Sequence, residues 1–228
     1  MKRLYLFTLI ALVLGWLLSA APGCSDTSRT LSFANGKPWS RIQFRDGKPH
    51  GTWTTWYEDG QKKSEGSYLD GRKEGRWVTR FENNQLQSAS NFKDGQRHGQ
   101  WQQFYENGQL AQEGTYVESK KEGLFKEYFG TGVLRGEATY VGGVRAGAFR
   151  QFWETGELQE WTTFHDGVRD GPYKAGSDRG LILVAGQYAN NKRSGRWTIY
   201  NLPTEENPEP TLNRARSGVY ENGEKVSD

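Results

Sequence analysis

Apolar and polar positions along this chain recur with a period of 24 residues, marked by Gly51, Gly75, Gly99, Gly123, Gly147, Gly171 and Gly195. Counting forward from each of these glycines, position 2 is always aromatic: Trp53, Trp77, Trp101, Phe125, Phe149, Tyr173 and Trp197. Position 17 carries Tyr68, Phe92, Tyr116, Tyr140, Phe164 and Tyr188. Position 6 holds Tyr57, Phe81, Tyr105, Phe129 and Trp153 before lapsing to Ser177 and Asn201. Position 11 is Leu86, Leu110, Leu134, Leu158 and Ile182, with Lys62 as the exception. Seven unbroken copies of one pattern describe a repeat array rather than one large globular core.

Turn residues divide each copy in two. Asp59-Gly60, Asn107-Gly108, Thr131-Gly132 and Thr155-Gly156 stand at positions 8 and 9, and Asp70-Gly71, Asp94-Gly95 and Asp166-Gly167 at positions 19 and 20. Both pairs read as type I′ hairpin turns, whose two central residues need positive φ. Each repeat is then two short strands. A turn centred on positions 8 and 9 makes position 6 face 11, position 2 face 15 and the repeat glycine face 17. Position 15 is Gly66, Gly114 or Gly186, or the small Ser90, Ala138 or Thr162, so bulky rings stand opposite little side chain and can fold over bare backbone. Alternation puts all these positions on one aromatic face. The other face collects residues such as Thr52, Thr54, Lys63, Glu65, Gln100 and Gln102 and reads as mostly solvated. Its scattered rings, Trp56, Phe104, Tyr128, Phe152 and Trp161, are the candidates for a ligand-facing surface.

The pattern extends both ways. Phe33, Gly36, Phe44 and Gly47 fit a partial first copy, and Gly218, Tyr220 and Gly223 fit a last one after eight inserted residues. The insertion, at about 202–215, contains Pro203, Pro208 and Pro210. The expected fold is all-β: an elongated single-layer antiparallel hairpin array over 30–228, with contacts that stay local. About sixteen strands spaced about 4.8 Å apart would make a ribbon on the order of 75 Å long.

The first 23 residues read as an export signal and an N-terminal signal helix: Lys2 and Arg3, then an apolar run from Leu4 to Leu18, then small residues. That run is shorter than the roughly 20 residues of a membrane span. Ala21-Pro22-Gly23-Cys24 follows and resembles a bacterial lipobox, which makes Cys24 the expected lipidation site and residues 24–29 a short tether. Cys24 is the only cysteine, so no intrachain disulfide supports the fold. From Cys24 onward 28 basic residues face 27 acidic ones, which gives no electrostatic case for nucleic acid.

Candidate chemistry is sparse. His50 and His98 share the position before a repeat glycine, where other copies carry Glu, Ala, Asp or Ser, and their 48-residue separation is not a metal-ligand spacing. His165 has no nucleophile assigned to it by the sequence. No metal, cofactor or catalytic set is expected.

The stretch from Gly99 to Gly123, with Trp101, Phe104-Tyr105, Asn107-Gly108, Leu110, Glu113-Gly114 and Tyr116, resembles the bacterial variant of the MORN repeat, which is also found in YwqK-like antitoxins. The resemblance covers about residues 30–223. It implies an elongated module for interaction or scaffolding, with no shared catalytic residues. Together these readings predict a non-enzymatic lipoprotein of the cell envelope that binds a protein partner and sits in the membrane through its lipid, in the outer membrane of a Gram-negative host. The alternatives are an immunity protein that binds a toxin, and a glycan or peptidoglycan binder using exposed rings.

Overall fold

The structure, a computed structural model, describes residues 26–228. The expected export signal and signal helix, and Cys24, lie outside the described residues. The array opens with β1 (Thr27–Ser32) and β2 (Pro38–Arg45). It continues as β3 (Lys48–Trp56), β4 (Lys62–Leu69), β5 (Arg72–Arg80), β6 (Leu86–Lys93), β7 (Gln96–Phe104) and β8 (Leu110–Val117). Next come β9 (Lys120–Tyr128), β10 (Leu134–Val141), β11 (Val144–Phe152), β12 (Leu158–His165), β13 (Val168–Gly176) and β14 (Ile182–Ala189). The last four are β15 (Lys192–Asn201), β16 (Thr211–Leu212), β17 (Gly218–Glu221) and β18 (Glu224–Ser227). From β1 to β15 each strand pairs antiparallel with the next, in one meander. β15 then divides its edge: Gly195 to Trp197 pair with β17, and Tyr200 and Asn201 pair with the two-residue β16.

The two turns of a repeat differ in kind. At positions 19 and 20 both residues have positive φ, as in Asp70 (48°) and Gly71 (84°), so these are type I′ turns. Glu118-Ser119 and Asn190-Asn191 adopt the same turn without glycine. The reading of positions 8 and 9 as type I′ is corrected: of Asp59 and Gly60 only Gly60 has positive φ, at 99°. The Gly60 amide donates to the Tyr57 carbonyl and the Tyr57 amide to the Gln61 carbonyl, which is a three-residue loop with glycine in the left-handed position. Position 6 therefore lies in the loop. Its expected partner at position 11 pairs instead with position 5, as Lys62 does with Trp56. The rest of the register is as the residue types require, with Trp53 facing Gly66 and Gly51 facing Tyr68.

A second irregularity explains the repeat glycine. Ser67 faces Glu74 but Glu65 faces Val78, so two extra residues, Gly75 and Arg76, bulge from β5 on the side of the preceding strand. All seven repeat glycines have positive φ, from 64° at Gly195 to 109° at Gly171. A Cβ on Gly75 would meet nothing within 4 Å, so backbone conformation, not space, demands glycine here. Because the bulge holds two residues, the in-and-out alternation survives it.

Neighbouring repeats are also tied at both edges of the ribbon. At the type I′ edge the Gly95 amide donates to the Lys73 carbonyl at 2.9 Å and the Gly143 amide to the Lys121 carbonyl at 2.9 Å. At the other edge position 6 earns its ring: Tyr57 and Tyr105 donate their hydroxyls to the Arg80 and Tyr128 carbonyls, both at 2.7 Å, and Trp153 Nε1 donates to the Gly176 carbonyl at 3.0 Å. Asn107 caps its own loop by accepting from the Gln109 amide and donates to the Gly130 carbonyl of the next loop at 2.9 Å.

Candidate interaction faces

The rings at positions 2 and 17 share a face. Trp101 and Tyr116 meet edge to face with centroids 5.9 Å apart, and the same T-shaped contact recurs between Tyr173 and Tyr188 at 5.3 Å and between Phe149 and Phe164 at 6.0 Å. Such pairs add about 0.5–1.5 kcal/mol each beyond their area burial. The glycine covered by a ring belongs to the preceding repeat. A Cβ on Gly66 would stand 2.3 Å from the Trp77 ring, one on Gly114 2.5 Å from Phe125, and one on Gly186 2.2 Å from Trp197. Trp77, Phe125 and Trp197 are the buried members of the position 2 column, and Trp53, Trp101, Phe149 and Tyr173 are half-buried.

A column that sequence reasoning missed lies two residues before each repeat glycine: Lys73, Arg97, Lys121, Arg145, Arg169 and Arg193, with Pro49 as the exception. Each cation lies over rings. Lys73 Nζ is 4.1 Å from the Trp77 centroid and 5.0 Å from that of Phe92, and the Arg193 guanidinium is 4.6 Å from Trp197 and 5.2 Å from Tyr220. Burial against the rings, followed by the charge of Arg97, holds the Lys73 ammonium below its ordinary pKa. The column was visible as a six-fold recurrence of Lys or Arg, yet a charge beside a turn reads by default as solvated.

Between the ring pair at positions 2 and 17 and the loop ring at position 6 runs a row at positions 4 and 13. It begins with hydroxyls, where Thr55 bonds Ser64 and Thr79 bonds Ser88, passes through Gln103, Gln112 and Glu127, and ends in Ala175, Val184 and Ile199. The polar start satisfies itself by side-chain hydrogen bonds, and the apolar end packs beside buried Trp197.

The five rings proposed for the opposite face, Trp56, Phe104, Tyr128, Phe152 and Trp161, are all half-buried. Arg41 lies 5.8 Å from the Trp56 centroid and Lys174 5.6 Å from that of Trp161. Tyr128 donates its hydroxyl to Glu113 at 2.9 Å, and burial together with that carboxylate pushes the phenol up to about 12. More open to solvent are the aliphatic side chains of Val117, Leu124, Val141 and Val144, on the adjacent strands β8 to β11, which are 40–60% exposed. Alternation from the inward rings Tyr116, Phe125 and Tyr140 directs the first three of these to the face away from the rings, and Val144 is the cross-strand partner of Val141. As for the histidines, His50 Nδ1 lies 3.3 Å from Asp70 Oδ1, while His98 and His165 are exposed beside turns.

The model of the MORN repeat variant matches residues 49–70, 73–94, 97–118 and 121–141. No curated protein matches the chain. Each matched segment starts just before a repeat glycine and runs to the following type I′ turn, so the family's unit coincides with one hairpin and its ring pair. The register of β3 to β10 then continues unchanged through β11 to β14, and the chain carries four consecutive repeats that match the MORN repeat variant.

Proposed function

We propose that this chain is an exported, lipid-anchored, non-enzymatic scaffold of the cell envelope that grips a protein partner on the face opposite its rings. The observation that carries the reading is the set of aliphatic side chains Val117, Leu124, Val141 and Val144, open to solvent on four adjacent strands, with Val141 and Val144 directly paired. Apolar side chains grouped on neighbouring strands and left open to solvent mark contact sites in proteins that otherwise solvate their faces. MORN repeats commonly serve as scaffolds for contacts with proteins or membranes, which supports the same reading. The anchor rests on the sequence alone, on the apolar run from Leu4 to Leu18 and the lipobox-like Ala21 to Cys24, with Ser25 after the cysteine favouring the outer membrane of a Gram-negative host.

A pull-down from envelope fractions with the full chain tests both halves. Val141→Asp combined with Val144→Asp leaves the ring face untouched and is expected to lose a partner that the parent chain retains. No specific partner on the parent, or equal recovery on the double variant, overturns the protein-binding role. Separately, Cys24→Ser is expected to move the protein out of the membrane fraction, and unchanged retention there removes the anchor.

A further inference from the structure

Ring contacts between successive repeats lapse at three places among the described residues, before Trp101, Phe149 and Tyr173, and the second of these breaks lies over the fourth repeat. Phe125 touches Trp101, Tyr116 and Tyr140, and Phe149 touches Phe164, but no ring contact joins Phe125 to Phe149. Between them lies a cleft of about 160 Å³ whose lining includes Gly136 and Ala138 as well as both rings. In the six copies before the insertion, position 13 is otherwise Ser64, Ser88, Gln112, Glu160 or Val184, and Gly136 is the one glycine among them. Its φ lies outside the left-handed region, so its backbone does not require glycine. An added Cβ would meet only backbone of the neighbouring strand, Arg150 O at 3.1 Å and Gln151 Cα at 3.8 Å.

The fifth repeat shows what this place normally holds. There position 13 is Glu160, and its carboxylate accepts from Arg169 Nη2 at 2.9 Å. Arg169 belongs to the cation column, and Arg145 is its counterpart one repeat earlier. Relative to Arg145, whose own cross-strand partner is Tyr140, Gly136 stands where Glu160 stands relative to Arg169. It lies over Phe149 and Phe164 at 5.0 and 5.4 Å and reaches the Tyr140 hydroxyl at 3.4 Å, and among the described residues it has no carboxylate partner. On the other side of Tyr140, Lys121 lies over Phe125 and Tyr140 at 4.7 and 4.8 Å, also with no carboxylate partner among the described residues. Two cations without an ion-pair partner among the described residues thus line a cleft that Phe125, Phe149 and Ala138 make apolar on one side, while Glu127 and Glu137, the latter paired with Arg150, also reach its lining.

We propose that the cleft binds a carboxylate on a short aliphatic stem, the carboxylate between Lys121 and Arg145 and the stem over Gly136 between Phe125 and Phe149. The ligand supplies the group that Glu160 supplies from within the chain one repeat later. Charge-assisted hydrogen bonds from a guanidinium suit a carboxylate in geometry as well as charge. Glu127, held by Gln112 at 3.0 Å, also lines the cleft and makes a second negative charge unwelcome, so a monocarboxylate fits and a dicarboxylate does not. The same chemistry is carried by a free short-chain acid and by a glutamate side chain of a bound polypeptide.

The full chain, labelled with nitrogen-15, is titrated with valerate, with pentanamide, and with the capped peptides Ala-Glu-Ala and Ala-Gln-Ala. Valerate and the Glu peptide are expected to give saturable shifts at the Gly136 and Ala138 amides, and the two amide controls none. Tighter binding of the peptide assigns the site to a polypeptide side chain, and tighter binding of valerate assigns it to a free acid. Gly136→Glu, which installs the internal carboxylate of the fifth repeat, is expected to abolish both responses, and Arg145→Gln to weaken them at least about tenfold. Absence of saturable shifts with both acids, equal responses to acid and amide, or unchanged binding in both variants overturns the assignment.

Discussion

Trp77 and Trp101 are the same residue at the same position of successive repeats, and the fold treats them differently. Trp77 lies on Gly66, donates Nε1 to the Ser67 carbonyl at 3.2 Å, contacts Tyr68, Phe92 and Trp53, and is capped by Lys73, so only 6% of it is exposed. Trp101 faces Ser90, touches only Tyr116 and Phe125 among the rings, and stays half-buried while Arg97 lies over Tyr116 instead. The difference traces to one side chain beneath the ring. Where position 15 is Gly66, Gly114 or Gly186 the next ring is buried, and where it is Ser90, Ala138 or Thr162 the next ring is not. Trp53 obeys the same rule, since it faces Ile42. The array is therefore built from a period of 24 residues in backbone but is uneven in packing.

The strongest way to break this comparison is Gly66→Ala. Its Cβ would occupy space 2.3 Å from the Trp77 ring, and forcing the ring away is expected to cost about 1–3 kcal/mol. Ser90→Ala beneath Trp101 adds no volume and is expected to cost clearly less, and urea unfolding of the two variants decides the matter. Equal losses would mean that the glycine is not what seats the ring.

A smaller effect, of opposite sign, is expected beneath Tyr173. Thr162 is fully buried and its hydroxyl finds no hydrogen-bond partner. Thr162→Val replaces that group with a methyl of similar size and is expected to stabilise the protein by about 1 kcal/mol. A lowered unfolding midpoint would show that the hydroxyl is satisfied in solution.

The subtlest test is Ser90→Gly, which gives Trp101 the bare backbone that Trp77 has. The ring should sink, with reduced acrylamide quenching of its fluorescence. Net stability should change little, because the gain in burial opposes the roughly 0.5–1 kcal/mol that glycine costs in a strand through backbone entropy. Unchanged quenching would show that neighbouring rings, and not position 15, set the tilt.

The sequence made the ladder of rings and glycines readable because both kinds of residue recur for stereochemical reasons that no other residue meets. The partner of Trp53 was legible as Gly66, but the ring that covers Gly66 was not, since Trp77 arrives from the next repeat across a bulge. That bulge leaves no mark beyond the repeat glycine itself. The loop at positions 6 to 10 was misread because Asp-Gly serves both as the core of a type I′ turn and as the end of a three-residue loop. The aliphatic patch was hidden as well. Val117 stands beside Glu118 and Val141 beside the glycines of a turn, and exposure of such a side chain depends on what the next strand places above it. Gly136 drew no notice, because a glycine in a strand reads as weakness in the ladder until its neighbours show what is missing.

The two-residue bulge behind each repeat glycine bears on how such a chain can change length over evolutionary time. Duplicating or deleting a whole unit keeps every residue facing its former side, whereas slipping in a single residue would turn all later side chains inside out. Growth by copying is thus nearly harmless to this architecture. Each copy also brings whatever small residue it carries to lie beneath the first ring of the unit that follows, so recombination among units can redistribute firm and loose stations along the ribbon without altering its backbone.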